Sequence, residues 1–579
     1  MKSKLRQNFY MNLHTTKPFC TGIALFLFVS AVFISSCKNA DSSKSEIVNS
    51  PEQMDKKVSA IIAASVTNLI NYQFILTDTT VLNQSAFVEY VYTQKKNEPL
   101  WSSRENWKAL GDSLFHFIFQ AKRWGLFPEN YHLKNLDTLR TLFFNDSLAK
   151  ADRRDARLWA NADILMTDAF VQIVHDIKLG RLQNDSVMKR TDSVLSKEFV
   201  FQKINSAFES QSLFSVFSSL EPRHKKYSDL KSGIKRFLDS ATFKNYTHVP
   251  VPYKNTTGHK KIVQQRLFED SLISFNSPIA DSTQFADAIK KFQKHQKLTA
   301  DGKLGQETIR RLNASDEEKF YRIAITLDRY KMLPEKMPEK YIWVNLPSFQ
   351  LQLIENDSIK ISSKIVVGKP NTRTPVLTSA LYEMITYPKW TIPNSIIVKD
   401  ILPALKRNSG YLARKGYSLV NKKGEVVDPA TVDWSKYSKG IPYNVVQGSG
   451  DANALGVLKF NFSNKYQVYL HDTNERYLFS RDSRALSHGC VRVQQWDKLA
   501  YFLMANDSSK SKNNNSMLIN SDSLTHWLKI KEKHTISLKN KFPVFFRYFS
   551  CEGKNGTIIF YDDIYGEDSL LREKYYSRK

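Results

Sequence analysis

Ser487-His488-Gly489-Cys490-Val491-Arg492-Val493 is the stretch around which the fold and the chemistry of this chain are organised. A cysteine is strongly nucleophilic only as the thiolate, and a free thiol has a pKa of roughly 8.5. Near neutral pH, Cys490 therefore needs a basic partner or a polar pocket. Gly489 permits a tight turn beside the thiol, so the backbone N–H groups of Gly489 and Cys490 are expected to face a developing oxyanion. Alternation then places the two valines on one side and Cys490 with Arg492 on the other.

The basic partner predicted for Cys490 is His471, which ends the alternating segment 465–471. This segment predicts a half-buried strand with His471 on the open face at its end. The buried face is expected to hold Tyr466, Val468 and Leu470. His488 is a second candidate, because alternation points it to the same side as Cys490. Geometry alone leaves the choice between the two histidines open.

Three motifs occur in order here: Asn453-Ala-Leu-Gly-Val-Leu-Lys-Phe460, His471-Asp472-Thr473 and the 487–493 stretch. Together they resemble the signature of the L,D-transpeptidases, whose catalytic domain is of the YkuD type. The resemblance implies that Cys490 is the nucleophile, His471 the proton donor and acceptor, and Arg492 a substrate-binding residue. It favours His471 over His488 as the base, oriented by Asp472 or by a backbone carbonyl. Ser487, His488 and Trp390 are the further candidates for lining the substrate pocket.

The region before the catalytic motifs predicts two helical units. Residues 56–250 show three- and four-residue apolar spacing, and Trp124-Gly-Leu-Phe-Pro-Glu-Asn-Tyr131 resembles part of the helical scaffold domain of large, Gram-negative-type L,D-transpeptidases. Residues 258–315 predict a small helical bundle. Its Phe292-Gln293 and Asp301-Gly302 pairs resemble a peptidoglycan-binding module, with a spacer role as the alternative.

The predicted fold class is therefore multidomain α+β. Residues 338–510 predict a mostly β catalytic domain, because alternating and β-branched runs begin at Lys340. The mixed, polar segment 394–445 is expected to be an inserted cap over the active site, the alternative being a surface excursion. Residues 511–579 are predicted to form an extension that packs on the scaffold or catalytic domain, with a hairpin beginning at Pro543.

The N-terminal residues predict export and attachment to a membrane. Basic residues precede an uncharged apolar run, and Ile34-Ser-Ser-Cys37 resembles a lipobox, so residues 1–36 predict a lipoprotein signal peptide with Cys37 lipidated. An uncleaved membrane anchor is the alternative, since the run is just long enough to span a bilayer. Residues 37–55 are polar and predict a flexible tether. Both alternatives predict a periplasmic, membrane-tethered protein.

Composition narrows the remaining partners and cofactors. With Cys20 removed and Cys37 acylated, a disulfide between Cys490 and Cys551 would consume the nucleophile, so Cys551 is predicted to be a buried, unpaired thiol. The formal net charge is +27, but its lysines are dispersed and no nucleic-acid motif accompanies them. A solvated surface or weak attraction to wall carboxylates or lipid headgroups explains this charge, and no nucleic-acid partner is predicted. The absence of metal-ligand spacings and phosphate loops predicts neither metal nor cofactor.

The resemblance also implies a reaction, the transfer of a peptidoglycan stem peptide through a thioester. Cys490 would attack the third residue of a donor tetrapeptide, typically meso-diaminopimelate, and expel the terminal D-alanine. The side-chain amine of an acceptor stem would then form a 3–3 cross-link. Arg492 suits a substrate carboxylate. Three alternatives stay open: water as the acceptor in an L,D-carboxypeptidase, a protein amine as the acceptor, and a non-catalytic wall-binding lipoprotein.

Overall fold

The structure is a computed structural model that describes residues 45–71, 75–77, 80–144, 150–182, 194–250, 253–274, 282–296, 298–509 and 520–576. The predicted signal peptide, residues 1–36, and the predicted lipidation site, Cys37, lie outside these residues. Among the helices of this described part, none combines the length and apolar character needed to cross a membrane.

Residues 45–55 are folded, which corrects this part of the tether predicted for 37–55, and residues 37–44 lie outside the described residues. Ile47 forms a β-bridge with Asp155, and the backbone N–H of Glu46 donates to the Asp155 carboxylate at 3.0 Å. Val48 and Met54 are buried in the core of the helical region that follows. Two apolar side chains in a polar stretch thus suffice to anchor it.

The N-terminal region is helical, as predicted, and its core surrounds the long helix α6. Asp155 caps α6 by accepting from the backbone N–H of Arg157 at 2.9 Å, and Gly180 follows its end in the left-handed conformation, with φ 72°. Four short strands lie between the first helices: β1 (Ile75–Thr77), β2 (Thr80–Val81), β3 (Ser102–Ser103) and β4 (Asn106–Trp107). The helices are α1 (Pro51–Asn71), α2 (Ser85–Gln94), α3 (Ala109–Phe119), α4 (Leu133–Phe144), α5 (Lys150–Arg153), α6 (Ala156–Lys178), α7 (Lys197–Ser210), α8 (Leu213–Ser219) and α9 (Lys225–Ser240).

The predicted small bundle forms from α10 (Thr257–Glu269), α11 (Ser282–His295) and α12 (Gln306–Leu312). Its loop is fixed by Gln293, whose side chain donates to Asp301 at 2.8 Å and accepts from the backbone N–H of Gly302 at 2.8 Å. The apolar core of the bundle includes Val263, Leu267, Ala288, Ile289, Phe292, Ile309 and Leu312. Helix α13 (Asp316–Lys331) then leads to the sheet.

From Lys340 the chain is mostly β, as predicted. The nine strands of the main sheet within the described residues run in the order β15-β7-β16-β14-β13-β8-β17-β5-β6, and a further pairing of β6 with β7 closes eight of them into a ring. They are β5 (Lys340–Asn345), β6 (Gln350–Glu355), β7 (Ser358–Gly368), β8 (Leu377–Thr386), β13 (Leu458–Phe462), β14 (Leu470–His471), β15 (Ala485–Ser487), β16 (Val491–Val493) and β17 (Thr535–Arg547). Helix α17 (Trp496–Ser509) packs Leu499, Ala500 and Leu503 against the core of this sheet.

The predicted cap is a subdomain with its own core rather than a surface excursion. A small antiparallel sheet, in the order β11-β10-β12-β9, holds it together. Its strands are β9 (Trp390–Thr391), β10 (Tyr417–Val420), β11 (Val426–Val427) and β12 (Asn444–Gln447), and its helices are α14 (Asn394–Ile396), α15 (Leu402–Arg407) and α16 (Tyr411–Arg414). Buried apolar residues fill the space between them: Ile392, Ile397, Ile401, Leu402, Leu405, Leu412, Leu419, Trp434 and Val445.

The sheet continues beyond the predicted catalytic segment, after helix α18 (Ser521–Ile530). Strand β17 lies inside the sheet, where Val544 pairs with Ser379 on β8 and with Ile342 on β5. The prediction that a hairpin begins at Pro543 is therefore wrong, because Pro543 lies within β17, which pairs with β5 and β8. The hairpin is formed instead by β18 (Cys551–Lys554) and β19 (Thr557–Phe560), followed by α19 (Glu567–Leu571).

The hairpin joins the catalytic sheet to the helical scaffold. At Gly553 it approaches α9 so closely that a Cβ would lie 2.0 Å from the carbonyl oxygen of Asp229. Cys551 is fully buried in the shared core, as predicted, and its thiol contacts the Thr326 hydroxyl at 3.3 Å. The scaffold therefore supports the sheet directly.

Candidate active site

The candidate site is built on two short parallel strands. Leu470 of β14 pairs with Val491 of β16, and His471 pairs with Arg492. Leu470 and Val491 are buried in the core of the sheet, so the next residue on each strand turns to the opposite face. Cys490 precedes Val491 and shares that face with Arg492, as the alternation predicted. The sheet thus brings the predicted nucleophile, base and guanidinium to one side.

These side chains line a cleft of about 120 Å³. The cap contributes one wall of the cleft, and the turn before β14 contributes another. The lining residues are Trp390, Pro393, Ser395, Ile396, Ala454, Leu455, Tyr466, Gln467, Val468, Tyr469, His471, Ser487, His488, Cys490 and Arg492. All six side chains predicted from the sequence to contact substrate or react with it therefore meet here.

The strand predicted for 465–471 is shorter than expected. Only Leu470 and His471 are β, because the preceding residues turn and Gln467 has a positive φ of 57°. Tyr466 is 45% exposed rather than on a buried face. The turn brings the Gln467 carbonyl to 3.9 Å from the Cys490 sulfur, where a thiol hydrogen can be donated.

His471 is held as a neutral imidazole with one defined tautomer. The residue is 4% exposed, and Nδ1 lies 2.5 Å from the carbonyl oxygen of Asp472. A carbonyl oxygen can only accept, so Nδ1 carries the hydrogen and Nε2 keeps its lone pair. Burial, followed by the charge of Arg492, lowers the pKa of His471 to about 3.

The orienting group is thus a backbone carbonyl, one of the two expected possibilities. The Asp472 carboxylate turns away, accepting from the backbone N–H of Val457 at 3.0 Å and from Arg476 at 3.1 Å. The position of the Asp472 carboxylate also explains why glycine occurs at position 456 of the upstream motif. A Cβ at Gly456 would lie 2.2 Å from an Asp472 carboxylate oxygen. Gly456 therefore lets the 453–460 segment pack against the loop that orients His471.

Cys490 is half-buried, and its thiol is neutral in the resting site. Burial raises its pKa, and the hydrogen bonds from Tyr469 and the charges of Lys459 and Arg492 act in the opposite direction but do not outweigh it. The Lys459 ammonium lies 4.1 Å from the centroid of the Tyr469 ring. An ionised sulfur beside the imidazole is therefore not the resting state, so proton removal must accompany attack.

Gly489 and Ser487 shape the backbone around the nucleophile. Gly489 has a φ of 123°, which favours glycine, as expected for the tight turn. Its N–H donates to the Ser487 hydroxyl at 3.1 Å, and that hydroxyl donates to the Cys490 carbonyl at 2.7 Å. This corrects the expectation that the Gly489 N–H faces the cleft. Ser487 closes the turn from beneath, and the N–H of Cys490 is the remaining candidate donor.

Two carboxylates of the protein itself form ion pairs with the side chains near Cys490, those of His488 and Arg492. His488 Nε2 lies 2.6 Å from an Asp400 carboxylate oxygen of the cap, so this imidazole is engaged away from the thiol. The Arg492 guanidinium forms an ion pair with Glu475. Neither carboxylate was predicted, because nothing in the sequence shows that its side chain faces the cleft: Asp400 lies in the helical turn Ile397–Ile401, and Glu475 precedes a 3₁₀ turn.

Trp390 and Tyr469 complete the walls of the cleft. Trp390 lies on β9, and its ring meets Tyr417 of the cap edge-on at 6.2 Å between centroids. Tyr469 was missed by the sequence reasoning, although its position two residues before His471 offered a signal through alternation. Its ring is edge-on to His471, with 5.6 Å between centroids, and its hydroxyl reaches the thiol. Within the described residues, no group of His, Cys, Asp and Glu side chains is arranged to hold a metal ion.

Three family models match the chain. The model described as "L,D-transpeptidase catalytic domain" matches residues 339–510, "Scaffold domain" matches 86–233, and "Putative peptidoglycan binding domain" matches 280–312. Residues 339–510 thus belong to the class of L,D-transpeptidase catalytic domains. The chain carries an L,D-transpeptidase catalytic domain together with a scaffold domain and a peptidoglycan-binding domain, which confirms the family predicted from the motifs.

A curated relative and a solved structure are also similar to this chain. A Haemophilus influenzae protein named "Putative L,D-transpeptidase" is 34% identical over 281 residues, which are 48% of this chain and 55% of that protein. The chain thus matches about half the length of this relative. A structure titled "Structure of the Ldtfm-avibactam carbamoyl enzyme" is 12% identical, covers 36% of this chain and 49% of that chain, and has a TM-score of 0.18.

Proposed function

We propose that this protein is a peptidoglycan L,D-transpeptidase that forms 3–3 cross-links between stem peptides through a thioester on Cys490. The observation that carries the proposal is the meeting of Cys490 and His471 in one cleft, with the Nδ1–H of His471 held by the Asp472 carbonyl. That hydrogen bond leaves Nε2 as the only nitrogen able to accept the thiol proton. The catalytic-domain match over both residues supports the same assignment.

Acylation uses the neutral pair directly. The Cys490 sulfur attacks the carbonyl carbon of the third residue of a donor tetrapeptide while its proton passes to Nε2 of His471. The backbone N–H of Cys490 stabilises the resulting oxyanion. When the tetrahedral intermediate collapses, the C–N bond to D-alanine breaks, and His471 returns the proton to the leaving amine.

Deacylation reverses these roles with a second stem peptide. The neutral side-chain amine of the acceptor attacks the thioester carbonyl, and His471 accepts the proton that the nitrogen loses. The C–S bond then breaks, and the sulfur regains that proton. The product is an amide between the third residues of two stems, which is a 3–3 cross-link.

We infer that the cap moves when substrate enters, because the cleft is small for a stem peptide. The cleft holds about 120 Å³, whereas pockets for drug-sized ligands span roughly 300–1,000 Å³. Because the cap has its own core, it can move as a unit around β9 and β12. The Asp400–His488 contact breaks as the cap opens. We assign Arg492 to a donor carboxylate, and Trp390, Ser487 and His488 to the pocket walls.

Muropeptide products test the reaction. Purified protein is incubated with tetrapeptide muropeptides, and a dimer lacking one D-alanine is expected by mass spectrometry. The Cys490→Ala variant should give no product, whereas Cys551→Ala, which removes a buried thiol, should retain it. A tripeptide alone would make the protein an L,D-carboxypeptidase. Unchanged muropeptides would leave a non-catalytic wall-binding protein.

We further propose that the protein works in the periplasm as a lipoprotein acylated at Cys37. The lipobox-like sequence supports the anchor, and the peptidoglycan-binding and catalytic domains support a location at the wall. The bundle of α10, α11 and α12 would hold the wall while the cleft engages its stem peptides. A tethered protein with two wall-directed domains acts on the polymer beside its membrane.

A further inference from the structure

We propose that Glu475 determines which charged substrate group the cleft accepts. In the empty site its carboxylate forms an ion pair with Arg492, and the carboxylate of the donor replaces it there. The released Glu475 carboxylate then binds the ammonium form of the acceptor. The inference rests on the proposed function and extends it to a residue that none of the catalytic motifs includes. Glu475 acts through Arg492 and is a positioning residue in the resting enzyme.

The two partners of this ion pair differ in how firmly they are held. Arg492 lies on β16, and its side chain is 16% exposed, so the guanidinium is fixed in the cleft wall. Glu475 precedes the 3₁₀ turn Arg476–Ser480, and its side chain is 43% exposed. Its backbone N–H is anchored by the buried Thr473 hydroxyl at 3.1 Å. The backbone is therefore fixed, while the carboxylate is free to rotate towards solvent.

A donor carboxylate must compete with Glu475 for the guanidinium. Arg492 is among the lining residues of the cleft, whereas Glu475 reaches it from outside that lining. A guanidinium binds a carboxylate through parallel hydrogen bonds, and the internal and external carboxylates are chemically equivalent for it. Donor binding therefore replaces one ion pair by another and releases a carboxylate at the rim of the cleft.

The released carboxylate suits the second substrate. The acceptor arrives as an ammonium ion at neutral pH, because an alkylamine has a pKa near 10.4. A partly exposed carboxylate attracts this cation to the rim, from which it can lose a proton and attack. Glu475 thus competes with the donor carboxylate for Arg492 and favours binding of the acceptor ammonium. Water, which carries no charge, gains nothing from Glu475.

Glu475 also offsets the charge of Arg492 at the nucleophile. The titratable and charged groups around Cys490 within the described residues are Lys459 on β13, Tyr466 and Tyr469 in the turn before β14, His471 on β14, Arg492 on β16 and the His488–Asp400 pair. Lys459 and Arg492 lower the pKa of the Cys490 thiol against the larger effect of burial. Removing the negative charge of Glu475 strengthens the effect of Arg492, so the thiol then ionises at lower pH.

The test compares Glu475→Gln with Asp482→Asn in the full chain. Asp482 lies in the same loop, is exposed and is not among the lining residues, so its substitution changes the net charge equally. With tetrapeptide muropeptides, Glu475→Gln should lower the donor KM and reduce the ratio of cross-linked dimer to tripeptide about five-fold. That fold-change corresponds to about 1 kcal/mol, as expected for an ion pair of this exposure. Asp482→Asn should change neither quantity.

A second measurement separates this role from a structural one. The rate of Cys490 alkylation by iodoacetamide, read on the Cys490 peptide by mass spectrometry, should shift to lower pH in Glu475→Gln and not in Asp482→Asn. Glu475→Asp should restore most of the product ratio. Unchanged ratio and pH profile in Glu475→Gln would overturn the inference. If the native protein yields no product, the proposed function fails, and an unshifted alkylation profile would then overturn the ion-pair inference separately.

Discussion

The pH dependence of Cys490 alkylation decides between a neutral cysteine–histidine pair and a pre-ionised one. An ordinary thiol with a pKa of roughly 8.5 is about 3% thiolate at pH 7, and burial raises the pKa of Cys490 above its ordinary value. The resting thiolate fraction at pH 7 is therefore below about 3%. Since only the thiolate reacts, the alkylation rate should rise about ten-fold per pH unit, or about 100-fold between pH 6 and pH 8.

The titration of His471 should produce no inflection in the pH profile of Cys490 alkylation. The pKa of His471 is lowered to about 3, so the imidazole stays neutral from pH 5 upwards and the field at the sulfur is constant. His471→Gln should therefore keep nearly the same alkylation profile, yet lose about 10²- to 10⁴-fold in acyl transfer, the range for a lost general base. Cys551, whose pKa is raised to about 12 by burial, should stay unmodified and serves as the internal control. A plateau of rapid alkylation at pH 5–6, lost in His471→Gln, would refute the neutral pair.

Three further outcomes follow from the structure. His488→Gln should retain acyl transfer within about ten-fold, because its imidazole faces Asp400; a loss as large as that of His471→Gln in the muropeptide assay would reverse the two assignments. Asp163→Ala should lower the free energy of unfolding by at least about 3 kcal/mol in urea titrations. The Asp163 carboxylate accepts hydrogen bonds from Tyr92, Leu100, Trp101 and Ser102, and each buried donor left without a partner costs about 1–3 kcal/mol. Asp112→Ala, at an exposed position, is the control, and equal stability of the two variants would contradict this network. Metabolic labelling with palmitate should mark the native chain and not Cys37→Ala, and label on both would place the lipid elsewhere.

Local motifs predicted the catalytic face because its residues are close in sequence. Cys490 and Arg492 share a face through simple alternation, and His471 reaches that face although its strand has only two residues. The burial of Leu470 fixes that orientation, and Leu470 was placed correctly. The small helical bundle over residues 258–315 was likewise predicted, and helices α10, α11 and α12 share its apolar core.

Long-range pairing could not be predicted in the same way. Strand β17 enters the sheet between β5 and β8, and its 535–547 sequence gives no sign of which strands it joins. Glu475 precedes a 3₁₀ turn and Asp400 lies in a short helical turn of the cap, and the partners that bring them to the cleft, Arg492 and His488, are distant in sequence from at least one of them. The orientation of the Gly489 N–H also depends on a local contact that alternation does not describe. The Ser487 hydroxyl donates to the Cys490 carbonyl and accepts from the Gly489 N–H, which therefore points away from the cleft.

Residues 45–55 were misjudged for a different reason. Composition predicted a polar tether, but a segment stays disordered only when it cannot bury enough apolar surface to offset the entropy cost of ordering it. Val48 and Met54 find one in the scaffold core, and the Asp155 carboxylate satisfies the backbone at Glu46. Two buried residues outweighed the average composition of the segment.

The acyl-enzyme itself tests the central assignment most directly. The native protein is mixed with a tetrapeptide donor without acceptor, quenched in acid within seconds, digested and read by mass spectrometry. We expect the Cys490 peptide to carry the donor minus D-alanine, in a bond that hydroxylamine cleaves as it does a thioester, and the same peptide from His471→Gln to carry at least 100-fold less. An unmodified Cys490 peptide beside released D-alanine, or an adduct on any other residue, would contradict the assignment.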